Sequence, residues 1–271
     1  MKAYLFVLLL PLALISCKEQ SKDTSETPAA ENAVVTEEEN TATPTFNVTP
    51  ISHATMVLEM DGTTIYVDPV GGAEAFTGQP KANLILITDI HGDHFNMETV
   101  RAITGDGVGI VAPKVVADKI DEELLPQTIV LNNGETTTIP GMDGFTFKAI
   151  AMYNLREEAL KFHVKGRGNG YVIEHEGQRV YISGDTEDIP EMRNLENIDI
   201  AFVCMNLPYT MPVESAADAV SEFQPAKVYP YHYRGTEGLS DVAKFKELIQ
   251  NSNAADNVEV VQLNWYPNRE N

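Results

Sequence analysis

Thr88-Asp89-Ile90-His91-Gly92-Asp93-His94 follows directly on the apolar run Leu84-Ile85-Leu86-Ile87. The run is continuous and rich in β-branched isoleucine, which suits a strand buried on both faces. Behind it, four metal-capable side chains fall within six residues. That is the C-terminal end of a strand, where open α/β architectures place their chemistry. Asp89 and His91 are two apart, so in extended backbone they point the same way. Gly92 lets the chain turn and aim Asp93 and His94 at a second point. One short loop could therefore serve two metal ions. The competing reading is a polar turn with surface histidines, which the density of two His and two Asp disfavours.

Outward from this loop the chain reads as strands first, then strands alternating with helices. Met56 to Met60 and Thr63 to Val67 flank Asp61-Gly62, a strong hairpin signal. Met97 to Ile103 is predicted helical, with Asn96 as its N-cap. Gly109 to Ala112 is a strand stopped by Pro113. Thr128 to Leu131 and Thr136 to Ile139 bracket the turn Asn132-Asn133-Gly134, and Phe145 to Ala151 is a further strand. Tyr171 to Glu174 and Arg179 to Ile182 bracket a Glu-Gly turn. Strands at Ile200 to Cys204, Val228 to Tyr231 and Val258 to Leu263 alternate with helices at Ser215 to Phe223 and Asp241 to Ile249. The pattern predicts two sheets with outer helices, a four-layer αββα sandwich of the α/β class. No repeat of solenoid period is visible.

Asp89-x-His91-x-Asp93-His94 resembles the H-x-H-x-D-H signature of the metallo-β-lactamase superfamily. Further motifs fall in that family's order. His163 precedes Gly166-Arg167-Gly168-Asn169-Gly170-Tyr171, Ser183-Gly184-Asp185-Thr186 ends a strand, and His232 follows Tyr229-Pro230-Tyr231. Ser52-His53-Ala54-Thr55 and Val67-Asp68-Pro69 resemble the branch that holds ascorbate-6-phosphate lactonase and N-acyl-phosphatidylethanolamine phospholipase D. The resemblance spans about residues 48–263. It implies a first metal on Asp89, His91 and His163, a second on Asp93, His94 and His232, and Asp185 bridging them. Two divalent ions are expected, with Zn²⁺ the first choice. Asp93 would also act as general acid or base on the attacking water.

The departure is Asp89, where the family has histidine. A carboxylate hardens that position and makes Mn²⁺ or Fe²⁺ more fitting than three imidazoles would. It could also weaken the site enough that a single ion stays bound. The implied activity is metal-dependent hydrolysis, a metal-activated hydroxide attacking an ester, lactone, amide or phosphodiester of a small molecule. Three rivals stand beside it: a binding protein with a degenerate site, a nuclease of the same fold, and a β-lactamase proper. Lys161, Lys165 and Arg167 surround His163, and Arg234 follows His232. Such a local reversal of charge could draw an anionic substrate group. A solvated loop is the alternative.

The charge balance narrows the partners. The 271 residues carry 40 acids against 19 basic residues, net −21. That field repels phosphate backbones and argues against nucleic acid, while an acidic chain readily hosts divalent cations. Two Cys exclude a disulfide scaffold and a Cys-rich zinc finger. An apolar fraction of 43% supports a sizeable core.

The first 45 residues read as processing and tethering sequence. Tyr4 to Ile15 is almost unbroken apolar, too short to span a bilayer and of signal-peptide length. It ends in Leu14-Ile15-Ser16-Cys17, which resembles a bacterial lipobox, so residues 1–17 are expected to be a lipoprotein signal with Cys17 acylated. Residues 18–45 hold seven acids, two Lys and a single aliphatic pair, and are expected to be a disordered tether. Residues 46–271 would form the hydrolase domain. The expectation is a lipid-anchored, extracytoplasmic protein of the bacterial envelope, bound to a membrane through its acyl chains.

Among the remaining candidates, His53 reads as a hydrogen-bonding core or pocket-wall residue outside the ligand set, with Asp68 a candidate partner. His175 reads as a solvated hairpin tip and Cys204 as a buried, unreactive thiol. Tyr209, Met211 and Tyr233 are candidates for the pocket wall.

Overall fold

The computed structural model describes residues 45–267. Cys17 and all but the last residue of the acidic segment lie outside the described residues. Among the described residues, no helix is long and apolar enough to cross a membrane.

Two sheets carry the fold. In chain order the first is built from β1 (Phe46–Ser52), β2 (Thr55–Met60), β3 (Thr63–Val67), β4 (Leu84–Leu86), β5 (Gly109–Ala112) and β6 (Thr128–Val130). Their order in space is the order in sequence. β1, β2 and β3 pair antiparallel, whereas β3 through β6 are parallel. The parallel part needs crossovers, and α1 (Met97–Ile103) and α2 (Lys114–Ala117) supply two of them. Asn96 caps α1 as predicted, its side-chain oxygen accepting from Thr99 N at 2.8 Å.

The second sheet repeats this plan. β7 (Thr136–Thr137), β8 (Thr146–Met152), β9 (Gly168–His175) and β10 (Gln178–Ile182) pair antiparallel. β11 (Ile200–Cys204), β12 (Lys227–Tyr231) and, after the small pair β13 (Arg234–Gly235) and β14 (Gly238–Leu239), β15 (Glu259–Val260) then add in parallel. α3 (Pro190–Arg193), α4 (Val213–Phe223) and α5 (Val242–Gln250) lie along this second half. The predicted strand at Val258 to Leu263 is therefore real but short.

The period of two along the first sheet decides what faces what. Leu58, Ile65, Val67, Leu84, Leu86 and Val111 join the core between the sheets. Their neighbours Val57, Tyr66, Ile85, Ile87, Ile110 and Ala112 turn the other way, onto Val100 of α1 and Val116 of α2. α4 buries Ala216, Val220 and Phe223, and α5 buries Phe245 and Ile249, against the second sheet. The result is the expected αββα layering. Asn132-Asn133-Gly134 closes no hairpin, because β6 lies in the first sheet and β7 in the second. It carries the chain across, and Asn133 Nδ2 ties it to Gly168 O at 2.9 Å and Asn169 Oδ1 at 2.6 Å.

Candidate metal centre

Both sheets deliver their strand ends to one edge. Asp68 follows β3, residues 89–94 follow β4, Asp185 follows β10, Asn206 follows β11 and His232 follows β12. His53 sits in the turn between β1 and β2, and His163 in the loop between β8 and β9. That loop is bolted down. Glu187, almost fully buried, accepts from Leu155 N, Arg156 N and Arg156 Nε at 2.8–2.9 Å. Asn154 Nδ2 donates to Tyr209 O at 2.7 Å, and His163 Nδ1 meets the same carbonyl at 3.1 Å.

Backbone geometry at this edge is costly. His53, Asp68 and His232 adopt φ of 59°, 45° and 45°, where a non-glycine residue gives up roughly 1–2 kcal/mol. Gly184 turns at φ +61° to present Asp185. Gly168 admits no side chain, since a Cβ there would stand 2.8 Å from Thr88 O at the root of the metal-capable loop.

Four of the seven predicted ligands converge around Asp185. Its Oδ2 lies 3.3 Å from His94 Nε2 and 3.1 Å from His163 Nε2, and its Oδ1 lies 3.1 Å from His232 Nε2. His94 Nε2 and His232 Nε2 are 3.1 Å apart, and Asp93 Oδ2 is 3.5 Å from His232 Nε2. Donors held 2.0–2.2 Å from a tetrahedral ion stand about 3.3–3.6 Å from one another, so this set, within a few tenths of an ångström, fits a divalent cation. Asp185 Oδ1 and His163 Nε2 are buried with no hydrogen-bond partner, and a buried polar atom left so is destabilising unless something satisfies it. Three donor trios qualify geometrically: Asp89, His91 and His163; His94, Asp185 and His232; and His53, Asp93 and His232.

The outer partners set the imidazoles. His94 Nδ1 donates to Asp68 Oδ2 at 2.8 Å, which leaves Nε2 to face the centre. Asp68 is itself held by Thr88 N at 2.7 Å and Thr88 Oγ1 at 2.6 Å. Burial alone would push His94 down, yet Asp185 and Asp68 hold it well above the ordinary histidine value. Burial would raise Asp185, but His232, His94 and His163 keep it well below the usual carboxylate range. The centre is thus built to be compensated by positive charge.

Above this floor opens a pocket of about 520 Å³, whose wall includes His91, Asp93, Phe162, Tyr209 and Arg234. Arg234 is the predicted cation that reaches it. Lys165 is committed to Glu191 at 2.6 Å. Arg167 donates to Asp89 through Nε at 3.1 Å and Nη2 at 2.7 Å. Lys161 leans over Phe162, its Nζ 5.0 Å from the ring centroid.

Three expectations need correction. His53 does not bond Asp68: its Nε2 meets Asp93 Oδ2 at 3.2 Å and its Nδ1 meets Tyr266 Oη at 2.8 Å. His175 is not a solvated tip, since its ring stacks on Phe145 at 3.9 Å and its Nε2 meets Asp61 at 3.3 Å. Met211 and Tyr233 are buried packing residues outside the pocket wall, whereas Tyr209 lines it. Cys204 is buried as expected, and burial pushes its thiol up to about 12. Sequence reading missed Asn206, whose amide meets His232 Nδ1 at 3.4 Å. Its place just past a buried strand was the available signal.

A two-sheet α/β sandwich with clustered His and Asp at its strand ends defines a metal-binding hydrolase scaffold. A profile of the beta-lactamase superfamily domain matches residues 47–232. A UPF0173 metal-dependent hydrolase of Thermococcus onnurineus is 32% identical over 209 residues, 73% of this chain and 88% of the relative. Its counterpart in Thermococcus kodakarensis is 29% identical, over 79% of this chain and 94% of the relative. A crystal structure from Parabacteroides distasonis, assigned as a metal-dependent hydrolase, aligns with TM-score 0.70 at 37% identity, covering 81% of this chain and 93% of that one. The chain belongs to the beta-lactamase superfamily, and within it to a group of metal-dependent hydrolases.

Proposed function

We propose that the chain hydrolyses a small anionic ester, lactone, amide or phosphodiester in the pocket above Asp185. His94, His232, Asp185 and Asp93 would hold a divalent ion there. The supporting observation is the convergence of buried donor atoms at 3.1–3.3 Å spacing around Asp185, with Asp93 3.5 Å from His232 at the pocket side. Bound there, such an ion would supply a Lewis acid for the substrate oxygen and would lower the pKa of its water to about 7. The chain's own residues position and move protons. Asp93 is 41% exposed, faces the pocket and is steadied by His53 at 3.2 Å. It orients the attacking water and carries a proton toward the leaving group. Phe162 and Tyr209, edge to face with centroids 5.0 Å apart, offer an apolar wall. Arg234 offers a planar fork for a carboxylate or phosphate.

A hydrolase screen with Zn²⁺ or Mn²⁺ added, and with chelator, tests the chemistry. Equal turnover by metal-depleted protein would end this reading. Within it, Arg234→Ala should lower kcat/KM for an anionic substrate by about 10- to 100-fold, the worth of one charged hydrogen bond. A neutral analogue should be little changed, and the difference should shrink at high salt. Unequal effects are the check, measured on a matched substrate pair.

Location is part of the proposal. Leu14-Ile15-Ser16-Cys17 supports a lipid-anchored enzyme on the extracytoplasmic side of a bacterial envelope. Cys17→Ala should shift the protein from the membrane fraction or block its processing. Wild type recovered soluble with an unmodified Cys17 would refute the anchor.

A further inference from the structure

The donors at the pocket floor are not equivalent. Around Asp185, His94 and His232 the polar atoms stand 3.1–3.3 Å apart, and the buried Asp185 Oδ1 has no hydrogen-bond partner. Asp89 is in the opposite condition. It is fully buried, and both its oxygens are already engaged. Oδ1 accepts from Arg167 Nε at 3.1 Å. Oδ2 accepts from Arg167 Nη2 at 2.7 Å and meets His91 Nδ1 at 2.9 Å. This is a two-pronged guanidinium–carboxylate pair, the geometry that arginine forms best. Arg167 is itself only 21% exposed, so little water competes for it.

A metal ligand must offer a free lone pair and a net charge that attracts the ion. Asp89 keeps one lone pair on Oδ1, but the Arg167 guanidinium neutralises its charge and occupies both of its oxygens. A divalent ion on its carboxylate would also face a permanent cation within hydrogen-bond reach of the same oxygens, and a guanidinium cannot lose its charge. What remains at this side is two imidazoles, His91 and His163, and Asp185 Oδ2, which lies 3.1 Å from His163 Nε2 and is shared with the His94 side at 3.3 Å. Of these His91 spends Nδ1 on Asp89 and turns its other edge toward the pocket.

We propose that Arg167 occupies the electrostatic place of one of two metal ions, so that the chain binds a single divalent ion tightly, on His94, Asp185 and His232 with Asp93 beside them. This rests on the metal-dependent reading above and specifies its centre. Asp89 then acts as a positioning residue for His91, and His91 and His163 become imidazoles facing the substrate.

Metal content of the purified chain decides the matter. After equilibration with Zn²⁺, and separately Mn²⁺, and removal of free ion, elemental analysis should give about one ion per chain. Asp89→Asn should leave that number unchanged. Arg167→Gln should raise it toward two by freeing Asp89, whereas Arg167→Lys, which keeps the charge, should stay near one. Two ions of similar affinity in wild type, or loss of an ion in Asp89→Asn, would overturn the single-ion centre and leave the hydrolase reading standing. No ion in wild type at all would overturn both. The wild-type measurement is decisive by itself if a variant fails to fold.

Discussion

Asp185→Ala should strip the centre of metal and lower kcat/KM by roughly 10³-fold or more, since loss of the ion forfeits several kcal/mol of charge stabilisation. Among the described residues, no other side chain is placed as Asp185 is. Its two oxygens lie 3.1–3.3 Å from three imidazole nitrogens, those of His94, His163 and His232. Removing it leaves three buried imidazoles with only the half-exposed Asp93 carboxylate beside their Nε2 atoms, 3.5 Å from His232, and a cation there would lose the carboxylate that touches all three. Asp185→Asn separates charge from shape, because the amide keeps the volume and one acceptor but not the charge. It should also lose most of the metal. Elemental analysis before and after dialysis gives the stoichiometry, and turnover of any substrate found by screening gives the rate. An Asp185→Ala protein that retains a full complement of ion would show that the donors around His94 and His232 suffice alone.

Asp68→Ala should be the most destabilising change, by about 3–5 kcal/mol, the usual consequence of removing one member of a buried charged pair. For a body of this size that corresponds to a fall in melting temperature of roughly 6–20 °C. Asp68 is fully buried and sits in the left-handed region at φ 45°. It accepts three hydrogen bonds, from Thr88 N, Thr88 Oγ1 and His94 Nδ1, and its own carbonyl accepts from Thr55 Oγ1 at 2.7 Å. Those bonds join the ends of β3 and β4 and fix the tautomer of His94. Losing them should also weaken metal affinity by about 10- to 100-fold, the typical effect of deleting a partner behind a ligating histidine. Thermal melts with and without Zn²⁺ separate the two effects. A melting temperature within a few degrees of wild type would mean that Thr88 and His94 find other partners.

The layering and most elements follow from local pattern. The Asp61-Gly62 hairpin, the Asn96 cap and the buried run from Leu84 rest on interactions between near neighbours, which a linear sequence displays. The same locality exposed Asp89 to His94 as chemistry. Short edge elements such as β7 and β15 were overestimated, because strand ends depend on neighbours far along the chain. Asn132-Asn133-Gly134 has the composition of a hairpin turn, but whether it closes a hairpin or crosses between sheets depends on where β7 finds its partner, β8.

The sequence by itself determined the αββα class, the strand-end location of the chemistry and the residues that could hold a metal. All of these are periodicities or residue types that survive in one dimension. Only the tertiary structure decided pairing. It set Arg167 against Asp89 across 78 positions and His94 against Asp68 across 26. It turned His53 to Asp93 and Tyr266, and left Arg234 alone of the predicted cations beside the metal-capable floor. The reason is physical. A side chain's charge is a property of its residue, but what that charge is spent on depends on which partner the fold brings within about 3 Å.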